Sequence, residues 1–146
     1  MVYYQIGSIF VLEKIDFMAK IIRYCKLQEE HVGDNCFDVS RPNIFGNPYT
    51  HIKNRNTLAS VKVKSREEAI ELYSPYFDKM LADNTKYGDI FREEWDKMYN
   101  AYKTYDEIYL GCFCKLDENC HADIIAKKLQ QRSIKEKIAK LRETTI

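Results

Sequence analysis

Several features are scarce or missing in this sequence, and each absence excludes a class of protein. Five glycines and three prolines in 146 residues exclude collagen-like and linker-like chains. The apolar N-terminal stretch lacks the basic start of a secretory signal and is interrupted by Glu13 and Lys14. It is also far too short to span a bilayer, so we expect no membrane partner.

An excess of charge of either sign is missing as well. The chain has 23 basic and 22 acidic residues, which gives a formal net charge of +1. This balance argues against a nucleic-acid partner, which usually needs an extended basic surface. It favours a small anionic ligand that a few local groups would bind.

The number of cysteines does not allow a complete disulfide framework. Five cysteines are an odd number, and no secretory signal accompanies them. We therefore expect a cytoplasmic protein whose thiols are free or bound to a metal.

The chain length of 146 residues corresponds to one domain with a real hydrophobic core. Residues 1–17 look detached from the rest of the chain, because Met18 resembles a natural protein start that leads into a strand. We therefore predict an N-terminal extension over 1–17 and a single domain over 18–146. The extension is either an added interface segment or an upstream addition to the gene.

Short runs of β-branched and aromatic residues predict the strands. Two lie at 20–26 and 36–39, and the clearest is 107–114, which is apolar enough for a central strand buried on both faces. Residues 57–63 are compatible with a strand or an extended loop.

Helical spacing of apolar residues predicts the remaining elements. A capping box at 65–68 opens a first helix, in which Pro75 should cause a kink or a division. A second helix is predicted over 89–104, where a stripe of aromatic residues indicates core. The last helix begins at 120–121, and a second capping box at 133–136 predicts a break near Arg132.

Strands that alternate with helices predict an α/β fold. We expect a three-layer domain with a short, mostly parallel sheet between helices. The predicted strands number three or four, fewer than a full dinucleotide-binding fold contains.

The strongest chemical signal is the segment from Gly111 to Asp123. Cys112 and Cys114 alternate on a strand and should point to one face, and Cys120-His121 returns at the start of the following helix. Ligands of open α/β sheets bind at this position, at the carboxyl ends of strands. Three interpretations stay open.

The first interpretation is a metal site. Zinc on Cys112, Cys114, Cys120 or His121 would use the thiolate and imidazole donors that this ion prefers. The spacing C-x-C-x₅-C-H is unusual, however, and adjacent Cys120 and His121 cannot easily bind one ion. Our primary expectation is therefore a site without a metal or other cofactor.

The second interpretation is a reactive or ligand-contacting site, and the third is plain packing. A cysteine at a helix N-terminus has a lowered pKa, so Cys120 with His121 as base is a candidate catalytic pair. The free amides of that helix start would also suit a phosphate. Cysteine is equally common as a small buried residue, and this interpretation suits Cys112 and Cys114. The junction at Cys120 and His121 should lie near solvent.

The loop that follows the second strand is a second candidate for ligand binding. Its guanidinium, at Arg41, would suit a phosphate or carboxylate through a bidentate contact. The alternative is that the loop residues only build turns and that the arginine pairs with an acid. Standard glycine-rich nucleotide motifs are absent. The candidate residues of this region are Asp38, Arg41, Asn43, Gly46 and Asn47.

Three blocks of sequence occur in an order that we recognise, namely 38–49, 65–77 and 110–125. Together they resemble the domain-of-unknown-function family 4326, small proteins of phages and bacteria. The resemblance implies a small Rossmann-like fold and a site, but no reaction. It assigns Arg41, Pro42, Gly46, Asn47 and Pro48 to the first block. To the last block it assigns Cys112, Cys114, Cys120 and His121.

The leading hypothesis is a cytoplasmic phage or bacterial protein that binds a small phosphorylated or nucleotide-like ligand at the strand ends. The ligand would contact Asp38, Arg41, Asn43, Gly46, Asn47, Gly111, Cys112, Cys114, Cys120, His121 and Asp123. A first alternative is an enzyme that acts on a nucleotide-like substrate through Cys120 and His121. A second alternative is a non-enzymatic factor that binds a host protein, with residues 1–17 and 85–106 as its surface. Self-association into a homo-oligomer is a further expectation.

Overall fold

A computed structural model describes residues 18–52 and 59–144. This part of the chain forms four short strands, two helices, a fifth strand and a last helix, which confirms the prediction of a small α/β domain. The strands are β1 (Lys20–Cys25), β2 (Cys36–Asp38), β3 (Tyr49–Thr50), β4 (Val61–Lys62) and β5 (Glu107–Cys112). The helices are α1 (Arg66–Leu81), α2 (Lys86–Thr104) and α3 (His121–Thr144).

The main sheet has three parallel strands in the order β1-β5-β2. The predicted central strand therefore lies in the centre, where Cys112 pairs with Cys25 and Gly111 pairs with Asp38. Because all three strands run in the same direction, their carboxyl ends share one edge of the sheet. Strands β3 and β4 form a separate parallel pair.

The hydrophobic core lies on the face of β5 that carries Ile108, Leu110 and Cys112. These side chains are at most 1% exposed and alternate along the strand as a pleated strand requires. All three helices contribute to this core. Their buried members include Tyr73 and Phe77 of α1, Phe91, Trp95, Met98, Tyr99 and Tyr102 of α2, and Ala122, Ile125 and Leu129 of α3.

The opposite face of the sheet is covered by aromatic and imidazole rings. His31 stacks on Tyr109 with ring centroids 4.3 Å apart, and Tyr24 lies edge-on to both rings. A Cβ at Gly111 would lie 2.6 Å from the Tyr24 ring. Glycine is therefore needed at this position for the approach of a ring, and not for the approach of a ligand.

Helix α1 runs without division through Pro75, so the predicted division is wrong. A proline removes the hydrogen bond to the carbonyl four residues earlier, which belongs to Glu71. Both residues are exposed, so water can bind that carbonyl. Half of the predicted capping box opens the helix, because the Glu68 amide donates to Ser65 Oγ at 3.1 Å, whereas the Glu68 carboxylate accepts from the Lys64 amide at 3.2 Å.

Helix α3 also continues through the predicted break. Ser133 is only 3% exposed in the helix interior, and Arg132 binds Asp96 at 2.8 Å and lies 4.1 Å from the centroid of the Tyr99 ring. Glu136, the other end of the apparent capping box, accepts a hydrogen bond from the Tyr99 hydroxyl. Packing against α2 therefore overrides the local signal.

The remaining predictions differ from the structure mainly in where each element begins and ends. Helix α2 begins three residues earlier than predicted, and its aromatic stripe is core, as expected. Within 57–63, a strand is present at Val61–Lys62, while 57–58 and the extension over 1–17 lie outside the described residues. None of the described helices is sufficiently long and apolar to cross a membrane.

Candidate functional site

A cavity of about 350 Å³ opens at the carboxyl end of β5. Three parts of the chain enclose it: the segment from β2 to β3, the first turns of α1, and the connection from β5 to α3. Its lining residues are Ser40, Arg41, Asn47, Tyr49, Thr50, His51, Ile52, Arg66, Ala69, Ile70, Cys112, Phe113, Cys114, Glu118, Asn119, Cys120 and His121. The two regions singled out in the sequence thus contribute to one cavity.

Three cysteines form a cluster in the cavity wall. The Sγ atoms of Cys112, Cys114 and Cys120 all lie within 4.8 Å of one another. Cys112 ends β5, Cys114 follows two residues later, and the connection to α3 returns Cys120 to the same place. Cys112 and Cys120 are each 1% exposed, whereas Cys114 is half-buried.

The negative charge of this cluster belongs on Cys114. The thiols of Cys112 and Cys120 donate toward its sulfur and hold the pKa of Cys114 well below its usual range. Arg66 Nη1 adds a further donor at 3.6 Å from the sulfur. Conversely, the hydrogen bond with Cys114 raises the pKa of Cys112 to about 11, and hydrogen bonds with Cys112 and Cys114 raise the pKa of Cys120.

Cys120 caps α3 instead of leaving its amides open. The Ala122 amide donates to Cys120 Sγ at 3.5 Å, and the Asp123 amide donates to the Cys120 carbonyl at 3.0 Å. The expectation that these amides bind a phosphate is therefore not supported by the geometry. The raised pKa of Cys120 also runs opposite to the lowering expected at a helix N-terminus.

His121 fastens the start of α3 to the end of β2. Its Nε2 donates to the Val39 carbonyl at 2.6 Å, because a carbonyl can only accept. Nδ1 is then the acceptor and lies 3.7 Å from Cys120 Sγ. Burial lowers the pKa of His121, so the ring is neutral. At 8% exposure the residue is buried, and the expectation of a solvent-exposed junction is wrong.

Arg41 lines the cavity without an acidic partner. Its Nη1 donates to the carbonyls of Asn47, at 2.8 Å, and Tyr49, at 3.3 Å. Within 18–52 and 59–144 it forms no ion pair, so the alternative that it pairs with an acid is not observed. Burial lowers the pKa of Arg41, but the group stays charged at neutral pH.

Arg66 is a second cavity guanidinium, and it is absent from the residues predicted for the site. It is the first residue of α1, and it binds Glu118 at 3.0 Å besides contacting Cys114. Its position directly after the cap residue Ser65 was a usable signal, since helix N-termini of α/β domains lie at ligand-binding edges. Its partners, however, are about fifty residues away in sequence.

Asn47 also lies in the cavity wall and is held there by the backbone. Its amide nitrogen donates to the Ala69 carbonyl at 3.1 Å, and its side-chain oxygen accepts from the Tyr49 amide at 3.0 Å. Both interactions fix the loop against α1.

Five predicted ligand contacts lie outside the cavity lining. Asp38 binds Lys26 and Ser40 beside a second cavity of about 490 Å³ on the other side of β2. Asn43 is exposed, and its carbonyl closes a turn with the Gly46 amide at 2.8 Å. Gly46 packs on Arg41, where a Cβ would lie 2.9 Å from its Cα. Gly111 faces Tyr24, and Asp123 pairs with Arg23 at 3.2 Å.

Comparison with known proteins gives a family match that covers most of the main sheet, all of α1 and α2, and the residues that line the cavity. A family model described as a domain of unknown function (DUF4326) matches residues 22–131. The chain belongs to this family. The resemblance inferred from three sequence blocks is therefore confirmed, while phage or bacterial origin stays a prediction. No curated protein and no solved structure matches the chain.

The DUF4326 match includes both walls of the cavity. Arg41 and Asn47 lie near its beginning, Arg66 in its middle, and the three cysteines with His121 near its end. The cavity is thus made entirely from the matched part of the chain.

Proposed function

We propose that this DUF4326 protein binds a small phosphorylated or nucleotide-like ligand in the cavity at the end of β5. One observation carries the proposal: the half-buried Arg41 lines the cavity, and its guanidinium has no carboxylate partner in the described residues. A charge removed from water is costly unless it is compensated. The Cys114 sulfur compensates part of the Arg41 charge, and an anionic ligand would supply the rest.

The hydrogen bonds of Arg41 favour an anion with two oxygens. Only Nη1 donates to the described residues, so Nε and Nη2 stay available to the ligand. Together these two groups match the paired oxygens of a phosphate or carboxylate. Arg66 adds a second positive group to the lining, although Glu118 neutralises part of its charge.

The rest of the cavity suits the body of a small molecule. Its volume of about 350 Å³ lies within the range of ~300–1,000 Å³ that is typical of ligand pockets. Ala69 and Ile70 of α1, with Ile52, provide apolar surface beside the arginines. A planar ring attached to an anionic group would use both kinds of surface.

Thermal unfolding in the presence of three probes tests this proposal. Inorganic phosphate, pyrophosphate and adenosine monophosphate are titrated at constant ionic strength. We expect at least one probe to raise the Tm with increasing concentration, because a ligand of the folded state stabilises it. In Arg41→Gln this shift should disappear, whereas Arg142→Gln, on the exposed last turn of α3, removes the same charge and should keep it.

Two results would contradict the proposal. One is that none of the probes shifts the Tm of the wild-type protein. The other is that Arg142→Gln reduces the shift as much as Arg41→Gln, which would indicate general screening of charge. Arg41→Lys keeps the charge but not the paired donors, and should retain only part of the shift.

The cysteine cluster favours a metal cofactor as a second part of the proposal. Tetrahedral zinc with bonds of about 2.3 Å to sulfur requires separations of about 3.8 Å between the sulfurs. The three Sγ atoms, already within 4.8 Å, need only a small contraction. We therefore propose that Cys112, Cys114 and Cys120 hold one zinc ion, without His121, which does not join the three sulfurs in one ligand group.

Metal analysis of the purified protein tests this part separately. We expect one zinc per chain in the wild-type protein and in Cys36→Ser, whose cysteine lies on β2 outside the cluster. Cys114→Ser should lose the metal, and circular dichroism checks that it stays folded. Wild-type protein that takes up no zinc, or equal loss from both variants, would contradict the metal site.

A further inference from the structure

The cysteine cluster offers three ligands where zinc takes four. In 18–52 and 59–144, no histidine, aspartate or glutamate joins the three sulfurs in one group. Structural zinc sites have four protein ligands, whereas sites that act on ligands keep one position for water or substrate. All three cysteines line the cavity, so a ligand in the cavity can supply the fourth donor.

The charge of the site decides what kind of donor that position accepts. Three thiolates on one divalent ion leave one net negative charge. A fourth ligand that is itself anionic would add to this charge. A neutral donor, such as water or a ring nitrogen, avoids this repulsion, which makes it the better ligand.

The two arginines of the cavity have different partners. Arg66 is occupied by Glu118 at 3.0 Å and by the Cys114 sulfur at 3.6 Å. Arg41 donates only to carbonyls in the described chain, and its charge also interacts with the Cys114 sulfur, so it can bind an anion beside the metal position. The cavity therefore contains two neighbouring recognition elements, a metal position for a neutral donor and a guanidinium for an anion.

From these two recognition elements in one cavity we infer that the ligand is a bifunctional molecule of the nucleotide class. A neutral ring nitrogen of its base completes the coordination of the metal ion, and its phosphate binds Arg41. This inference rests on the proposed function and names the class of ligand for the same site. It makes the metal position and Arg41 parts of one binding event. The bound metal ion then raises the affinity for the nucleotide, and the bound nucleotide raises the affinity for the metal ion.

Cobalt substitution gives a direct test, because the visible d–d bands of tetrahedral cobalt(II) report its four ligands. The wild-type protein is loaded with cobalt(II) and titrated with imidazole, inorganic phosphate and adenosine monophosphate. We expect imidazole and adenosine monophosphate to change the d–d bands, and phosphate to leave them unchanged. Phosphate binding itself is followed in parallel by the Tm.

Arg41→Gln separates the two recognition elements. It should weaken the binding of adenosine monophosphate about tenfold or more, because a charge-assisted contact is lost, and should leave the affinity for imidazole unchanged. If Arg41→Gln does not fold, Arg41→Lys is used, with a smaller loss expected. Arg142→Gln should behave like the wild-type protein in both titrations.

Three outcomes would overturn the inference, and they differ from a failure of the proposed function. If cobalt(II) does not bind through the cysteine sulfurs, the protein has no metal position for the base to complete. Phosphate that changes the d–d bands as imidazole does would place the anion on the metal. Adenosine monophosphate that raises the Tm without changing the bands would retain the proposed function but exclude coordination by the base. Failure of the proposed function would instead appear as no change of Tm with any probe.

Discussion

Charged residues that lie close together in sequence have different roles in this protein because their neighbours differ. Asp38 and Arg41 lie three residues apart, and both are charged. Lys26 neutralises Asp38 and Ser40 donates to it, whereas Arg41 donates only to carbonyls in the described chain and its charge interacts with the Cys114 sulfur. The first is therefore a structural ion pair, and the second is available to a ligand.

The pairing of Asp38 predicts a pH-dependent contribution to stability. Burial raises its pKa, but hydrogen bonds from Lys26 and Ser40 outweigh this effect, so the pKa of the folded state lies below the ordinary 3.8. The unfolded chain then binds the proton more readily. The stabilisation is present above pH 3.8 and is lost as the pH falls through the lower pKa of the folded state.

Urea denaturation of Asp38→Asn at several pH values measures this contribution. The variant should be less stable than the wild type at pH 7, and the difference should shrink as the pH falls below about 4. Because Asp38 lies outside the cavity lining, probe binding at Arg41 should be unchanged. A stability difference that is constant from about pH 7 to about pH 3 would show that the ion pair has no role.

The distance in sequence between contacting residues decided which site residues could be predicted. Cys112 and Cys114 are two residues apart, and Cys120 with His121 follows in the same connection, so strand geometry already groups them. Arg66 reaches Cys114 across 48 positions of sequence, which no local pattern indicates. The burial of His121 was also missed, because its partner Val39 is even more distant in sequence.

At the scale of elements, two identical local signals have opposite outcomes. Both 65–68 and 133–136 have the form of a capping box. Ser65 begins α1 and accepts from the Glu68 amide, whereas Ser133 lies buried inside α3. A helix start needs a residue that can leave the helical conformation, and the packing of α3 on α2 prevents this at Ser133.

The caps of α1 and α2 form a matched pair for a stability measurement. Ser65→Ala removes a side-chain cap and should lower the free energy of unfolding by about 1 kcal/mol. Thr85 begins α2 without a side-chain cap hydrogen bond, so Thr85→Ala should cost clearly less. Urea denaturation of both variants compares them directly. Equal losses would mean that the Ser65 hydrogen bond contributes nothing.

At the scale of the whole molecule, the described residues contain one core to which every layer of the fold contributes. Its buried members extend from Ala19 to Leu129 and come from the sheet and all three helices. One apolar stripe stays exposed on the second half of α3, at Ile134, Ile138 and Leu141. Self-association and the binding of a host protein stay predictions, as does catalysis by Cys120 and His121.

The position of the core predicts that a chain beginning at Met18 folds by itself. We expect its Tm to lie within about 3 °C of the full chain, which corresponds to about 1 kcal/mol. Thermal unfolding followed by circular dichroism measures both chains. A chain beginning at Val32, which lacks β1, should lose the cooperative transition because one side of β5 becomes unpaired. A large loss in the Met18 chain would contradict a domain over 18–146.

The element types, the parallel sheet with its central strand, the family, and the grouping of the three cysteines could all be predicted from the sequence alone. These features depend on periodicity, on residue type and on contacts within about ten positions. The folded chain was needed to establish that Arg41 and Arg66 share a cavity with the cysteines, that His121 is fastened to β2, and that α3 does not break. These features depend on contacts between elements that are distant in sequence, where packing outweighs local preference.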